Sequence, residues 1–336
     1  MLKTITLQNQ SSWQDCLADL ITNPMELLNL LDLKAEQLDL SIEVLREFPL
    51  LLPRVFAKRI QKGNPHDPLL LQVLPQQNEL VDYPGFVSDP LAEKEFNPMP
   101  GILHKYAGRV LLMPTSSCAI HCRYCFRRHF PYKENHPDKN QWLNNLQYIL
   151  EDSSITEVIL SGGDPLAISD KHLEWLLEHL ATIPHIQRVR IHTRFPVIIP
   201  QRITQNLCDL FIRYQFKFVL VLHTNHAKEL NDEVKSACSR LKEAGVDLFN
   251  QSVLLKNIND NPQTLVDLSE RLFTCGVIPY YLHMLDKVKG SGHFEVSMQA
   301  AQSIMTKLRA SLPGYLVPAL VQEEIGLANK TPILPI

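Results

Sequence analysis

Apolar and polar positions change rhythm part-way along the chain. Up to about residue 100, apolar residues recur at helical spacing in short bursts. Trp13, Cys16, Leu17 and Leu20 share one face behind Ser12, a natural N-cap. Leu27, Leu28 and Leu31 share another behind Asn23-Pro24. Pro65, Pro68, Pro75, Pro84, Pro90, Pro98 and Pro100 then break any long helix, so this stretch reads as a connector wrapped on a neighbouring domain. From Arg109, short β-rich runs alternate with helix-length segments. The runs are 109–113, 156–160, 187–192, 217–223, 247–254 and 277–282. The helical segments are 140–151, 170–182, 203–213, 232–244 and 262–275, with a last helix at 297–312 and a last strand at 315–321. From the second run on, the starts lie about 30 residues apart, the length of a strand, a crossover helix and their turns. Six such units predict an α/β fold: a parallel sheet curved into a partial (β/α)6 TIM-like barrel, with ligands at the carboxyl ends of the strands. The expected division is a helical connector over 1–100, the barrel over 101–321 and a C-terminal segment over 322–336.

Composition narrows the function classes. The 336 residues carry 33 Lys+Arg against 36 Asp+Glu, a formal charge of −3. That argues against a domain built to grip nucleic-acid backbones. No run approaches the roughly 20 apolar residues of a membrane span, and residues 1–16 lack the apolar core of a signal peptide. A cytoplasmic protein with neither nucleic-acid nor membrane partners is expected. The seven cysteines are odd in number and three fall together, which points to cofactor chemistry in a reducing compartment rather than a disulfide framework.

Those three are Cys118, Cys122 and Cys125, directly after the first strand. Thiolates are soft ligands. The residues alone allow zinc completed by His121 or His129, a redox pair of Cys122 and Cys125, or simply packed thiols. They also allow a [4Fe–4S] cluster held at three corners, with one iron open to a ligand. Ser161-Gly162-Gly163-Asp164 follows the second strand, either as an ordinary strand-to-helix turn or as a loop pressed against a ligand. Lys330 lies on a late loop, where a lysine is either solvated or, if its pKa falls, a nucleophile.

The three-residue and two-residue gaps of the cysteine run resemble the radical S-adenosylmethionine superfamily. Further runs resemble lysine 2,3-aminomutases and the related enzyme that makes β-lysine for elongation factor P. They are Asp89-Pro90-Leu91 and residues 100–109, 118–128, 161–164, 194–202, 223–226, 245–255, 290–294 and 317–332. The resemblance covers 85–336, roughly three quarters of the chain. It implies the superfamily's partial barrel, with a [4Fe–4S] cluster on Cys118, Cys122 and Cys125. It implies S-adenosylmethionine against Tyr124, Ser161, Gly162, Gly163, Asp164, His223 and Gln251. It implies pyridoxal 5′-phosphate as a Schiff base on Lys330, with its phosphate near Lys105, Tyr106 and Arg109. Substrate lysine would place its carboxylate on Arg127 and its distant ammonium between Asp286 and Glu323, an acid pair that disfavours a glutamate substrate. The chain departs from the family at three points: Lys105 stands where arginine is usual, Glu323 where aspartate is usual, and Gly326-Leu327-Ala328-Asn329 is poorer in glycine.

The resemblance implies an isomerase converting L-α-lysine to β-lysine. An external electron donor reduces the cluster, and an adenosyl radical takes hydrogen from the substrate β-carbon while the amino group migrates. The catabolic enzymes extend further beyond the Schiff-base lysine, whereas this sequence ends six residues after Lys330. The expected role is therefore supply of (R)-β-lysine for elongation factor P, attached by a separate lysyl ligase. Catabolic lysine 2,3-aminomutase is the alternative, and a non-enzymatic zinc protein is the alternative from a different class.

Overall fold

Strand runs rich in valine, isoleucine and leucine draw most of the chain beyond residue 100 into one nine-stranded sheet. The computed structural model describes residues 12–334 except 133 and 136. Residues 1–11, which make up most of the stretch read above as free of a signal peptide, lie outside it. The strands are β1 (Ile102–Tyr106), β2 (Arg109–Thr115), β3 (Glu157–Gly162), β4 (Arg188–Thr193), β5 (Lys217–His223), β6 (Asp247–Val253), β7 (Ile278–His283), β8 (Ala319–Gln322) and β9 (Thr331–Pro332). They are hydrogen-bonded in sequence order, from β1 at one edge to β9 at the other. β2 to β8 run parallel, while β1 and β9 pair antiparallel with their neighbours. The sheet is open, a partial barrel.

Six helices fill the six crossovers: α1 (Lys139–Glu151), α2 (Asp170–Ala181), α3 (Gln205–Arg213), α4 (Asp232–Glu243), α5 (Pro262–Thr274) and α6 (Met298–Ser311). Asp138, Ser169, Thr204, Asn231, Asn261 and Ser297 cap them by accepting from first-turn N–H groups, as short polar side chains at helix starts should. The alternation along β4 shows how the strands sort their faces. Val189 and Ile191 are fully buried in the apolar layer beneath the helices, while Arg190 and His192 turn inward to line a cavity.

The predicted strands and helices agree with the observed ones to within a few residues, except at the ends. β1 and β9 were not anticipated. The last strand is shorter than expected, because Pro313 starts a 3-10 turn over Gly314–Leu316. The first helix covers only Trp13–Ala18, and Leu20 instead opens a two-residue strand paired with Leu52–Pro53. The N-terminal region shares the barrel's core, since Leu27, Leu28, Phe56, Leu69 and Leu70 belong to the same apolar cluster as the strand residues. Among the described residues no helix is long and apolar enough to cross a membrane.

Candidate active site

The inward faces of the strands enclose a cavity of about 960 Å³. The loop after β2 folds over one end of it, carrying Cys118, Cys122 and Cys125, all free and all on the cavity wall. The loop is held from outside by the N-terminal region: His121 N donates to Leu51 O (3.0 Å) and Arg123 N to Gln72 O (3.0 Å). Inside it, Cys125 N donates to Cys122 O (2.9 Å). Burial, and then the neighbouring thiols, push the Cys118 thiol well up. The same causes bring Cys125 to about 11. The thiols are close enough to raise one another. Yet among the described residues no three His, Cys, Asp or Glu side chains are gathered for a single metal ion. His121 and His129 are engaged elsewhere, on the carbonyls of Pro49 (2.8 Å) and Lys289 (3.2 Å).

The end of β3 packs directly on this loop. Gly163 N donates to Thr115 O (3.0 Å) and Asp164 N to Ser117 O (2.8 Å). A Cβ on Gly163 would lie 2.4 Å from the Ser117 carbonyl oxygen, so no larger residue fits the approach. Asp164 does not project freely into the cavity. Its carboxylate accepts from Thr193 Oγ1 (2.6 Å), Arg194 N (2.7 Å) and Leu166 N (3.1 Å), tying β3 to β4. Burial nevertheless lifts its pKa to about 6. Tyr124 donates to Gln72 Oε1 (3.3 Å). Arg194 makes contacts that sequence reading did not find: it reaches Cys122 Sγ (2.7 Å), Gln72 (3.0 Å) and the fully buried Glu229 (2.8 Å). His223 and Gln251 are register partners on β5 and β6, with Nε2 to Nε2 at 2.7 Å. Burial holds His223 at about 3, so its ring is neutral.

Arg127 is buried, but it does not wait with an empty fork. Its Nε and Nη2 grip the Glu93 carboxylate (2.8 and 2.6 Å), and Nη1 donates to Ser161 Oγ (3.1 Å). The expected substrate anchor thus has one bidentate edge already engaged, by a residue not singled out from sequence. At the other end of the cavity, the β8–β9 hairpin pairs Gln322 with Thr331, which brings Glu323 and Lys330 face to face in a salt bridge. Glu323 also accepts from Lys105 (2.7 Å) and Tyr106 (3.0 Å) of β1. Burial pushes the Glu323 pKa up, but Lys330 and Lys105 outweigh it and hold the carboxylate at about 2. Glu323 thus pairs with Lys330 and with two β1 residues at this end of the cavity. Asp286 lies nearby, half-buried; burial, then Glu323, lift it to about 7. Arg109 stacks 4.6 Å over the Tyr106 ring. Lys105, Tyr106 and Arg109 flank the β1–β2 turn, at the amino end of β2, whereas the cysteines, Ser161–Asp164, His223, Asp286 and Glu323 follow carboxyl ends.

A model of the radical SAM superfamily matches residues 112–269. The chain is 49% identical over 331 residues to L-lysine 2,3-aminomutase of Escherichia coli (strain K12), covering 98% of this chain and 96% of that protein. It is 47% identical to L-lysine 2,3-aminomutase of Haemophilus influenzae, covering 97% of this chain and 96% of that protein. The chain belongs to the L-lysine 2,3-aminomutase family. Among solved structures, a radical SAM methyltransferase from Sphaerobacter thermophilus superposes with a TM-score of 0.45 and 18% identity, over 66% of this chain and 68% of that one.

Radical SAM enzymes carry a [4Fe–4S] cluster and S-adenosylmethionine, and lysine 2,3-aminomutases also use pyridoxal phosphate. The residues present fit these groups. Three unpaired soft donors share one loop on the cavity wall. The buried His192 Nε2, Arg194 Nε and His283 Nε2 belong to cavity-lining side chains and have no partner among the described residues, so polar groups are placed for a ligand to satisfy. A lysine amine shares that cavity with three basic or phenolic side chains.

Proposed function

We propose that this protein isomerises L-α-lysine to β-lysine, and that the product is the (R) form destined for elongation factor P through a separate lysyl ligase. One observation carries the reading: the cysteine trio and Lys330 open onto the same cavity of about 960 Å³, in a chain 49% identical to an L-lysine 2,3-aminomutase. Cys118, Cys122 and Cys125 would hold the cluster. Tyr124, Ser161, Gly162, Gly163, Asp164, His223 and Gln251 would surround S-adenosylmethionine. Lys330 would carry pyridoxal phosphate, with Arg109 the phosphate partner least committed elsewhere and Lys105 and Tyr106 beside it. When bound, these groups supply a one-electron hydrogen-abstraction route and an electron sink for the migrating amino group.

The chain's own residues bind, orient and hold protons. Arg127, fixed by Glu93 along its Nε–Nη2 edge and by Ser161 through Nη1, would turn its remaining N–H groups to a substrate carboxylate. Asp286 would receive the distant ammonium. An arriving cation favours its ionised form, so binding and deprotonation go together. Glu323, ionised throughout the neutral range, pairs with Lys330 and so fixes where its amine sits. The apolar cavity wall, with Leu111, Ile159, Val219 and Val221, excludes water from the reacting centre. The seven free thiols fit a cytoplasmic setting, and reduction of the cluster calls for an external donor.

The test is anaerobic reconstitution with iron, sulfide and pyridoxal phosphate, then incubation with dithionite, S-adenosylmethionine and labelled L-lysine. Chiral analysis should find β-lysine, mainly (R). Absence of both β-lysine and deoxyadenosine from a protein that holds its iron would end the proposal.

A further inference from the structure

The cysteine loop carries two arginines beside its thiols, Arg123 and Arg128, the second of which also lines the cavity. Both donate to one carboxylate. Glu79 belongs to a 3-10 turn of the N-terminal region, Gln77–Leu80, and its side chain is 1% exposed. Its Oε1 accepts from Arg123 Nε (2.7 Å), and its Oε2 accepts from Arg128 Nη1 (2.9 Å). The two guanidiniums are equally hidden, at 1% and 3% exposure.

Other donors of the two guanidiniums reach main-chain and side-chain acceptors, while Arg128 Nε is buried without a partner among the described residues. Arg123 Nη1 donates to Leu71 O (2.7 Å) and Nη2 to Asn78 Oδ1 (3.0 Å). That Nη2 also faces His293 Nε2 (3.0 Å), which must accept, because a guanidinium can only donate. Arg128 packs over the Phe48 ring (4.5 Å) and donates to Arg123 O (3.2 Å) and Gly290 O (3.4 Å). Among the described residues, Glu79 is thus the one acid paired with the two buried cations on either side of Cys125, and those two arginines in turn reach residues 290–294 through His293 and Gly290.

We propose that Glu79 is a positioning residue for the cysteine loop, holding it in the shape that retains an iron–sulfur cluster. This rests on the assignment of Cys118, Cys122 and Cys125 as cluster ligands. Removing the carboxylate leaves Arg123 and Arg128 buried, unpaired and mutually repelling, a far costlier state than losing the whole pair. The loop relieves it by opening, and the ligands move with it.

The experiment compares reconstituted wild-type protein with Glu79→Gln, Arg128→Gln and the double variant, following iron content and the rate at which a chelator removes the iron. Circular dichroism melts of the same samples report folding. Glu79→Gln should lose iron on the order of tenfold faster than wild type, the usual scale for a group that orients a metal ligand. The double variant should recover much of the retention, since only one cation then remains. A general loss of packing would instead make the two losses add. Wild-type stripping rates in Glu79→Gln, or additive losses in the double variant, overturn the proposal. Should Glu79→Gln not fold, Arg128→Gln alone decides: stripping intermediate between wild type and the tenfold expectation supports the role, and an unchanged rate overturns it. A wild-type protein that takes up no iron would instead refute the ligand assignment beneath it.

Discussion

Lys330 and Asp286 show how single side chains at the cavity set its chemistry. Lys330→Ala should abolish the near-visible absorbance of bound pyridoxal phosphate and all turnover while leaving iron content intact, since the cysteines lie on a separate loop; absorbance spectra beside iron analysis check this. Asp286 titrates at about 7 rather than its ordinary 3.8, because burial and the charge of Glu323 oppose its ionised form. If ammonium binding needs the carboxylate, the KM for lysine should be roughly tenfold higher near pH 6 than near pH 8, and Asp286→Asn should flatten that dependence. The same shift has a cost in stability with a definite sign. Between 3.8 and about 7 the folded protein keeps a proton that the unfolded chain has released, so this group's contribution to stability falls as pH rises through that window.

At the scale of elements, the β3–α2 connection shows what the sequence made legible and what it hid. Ser161-Gly162-Gly163-Asp164 stood out as a glycine-rich turn after a strand. That Gly163 lies against the backbone of residues 116–117 could not be read, because that contact joins two loops with no shared periodicity. Gly163→Ala should therefore cost about 1–3 kcal/mol by overpacking, visible as a lower Tm together with reduced iron content. A variant with unchanged melting and iron would mean that the two loops yield freely. The central strands were legible because short runs rich in valine, isoleucine and leucine recur about every 30 residues. β1 escaped because His104, Lys105 and Tyr106 dilute its pattern, and β9 because two residues, one a proline, carry no pattern at all. Arg127 was singled out by its resemblance to the family's arginine. Glu93, its partner 34 residues earlier, was not, since ion pairing across loops leaves no trace in local spacing.

Across the whole molecule, the N-terminal region proves to be part of the site's framework rather than a wrapping. Gln72, fully buried, accepts from Tyr124, Arg194 and Asn225, which belong to three different connections of the barrel. Glu229 completes this hub, accepting from Arg194 Nη2 (2.8 Å) and the backbone of Asn225 (2.8 Å) and His226 (3.0 Å). Glu229→Ala would strand a buried guanidinium next to Cys122 and should destabilise the fold by about 3–5 kcal/mol. Denaturant titration of the metal-free protein would measure it, and a loss below about 1 kcal/mol would show that Arg194 finds another partner.

The sheet never closes on itself through main-chain pairing. Where its first and last strands approach, the join consists of Lys105 and Tyr106 reaching across to Glu323, which also grasps Lys330. Such a fastening can be undone one side chain at a time, with every strand ladder left intact. Loss of Glu323 alone would therefore loosen this corner of the chamber wall without breaking a single strand pair.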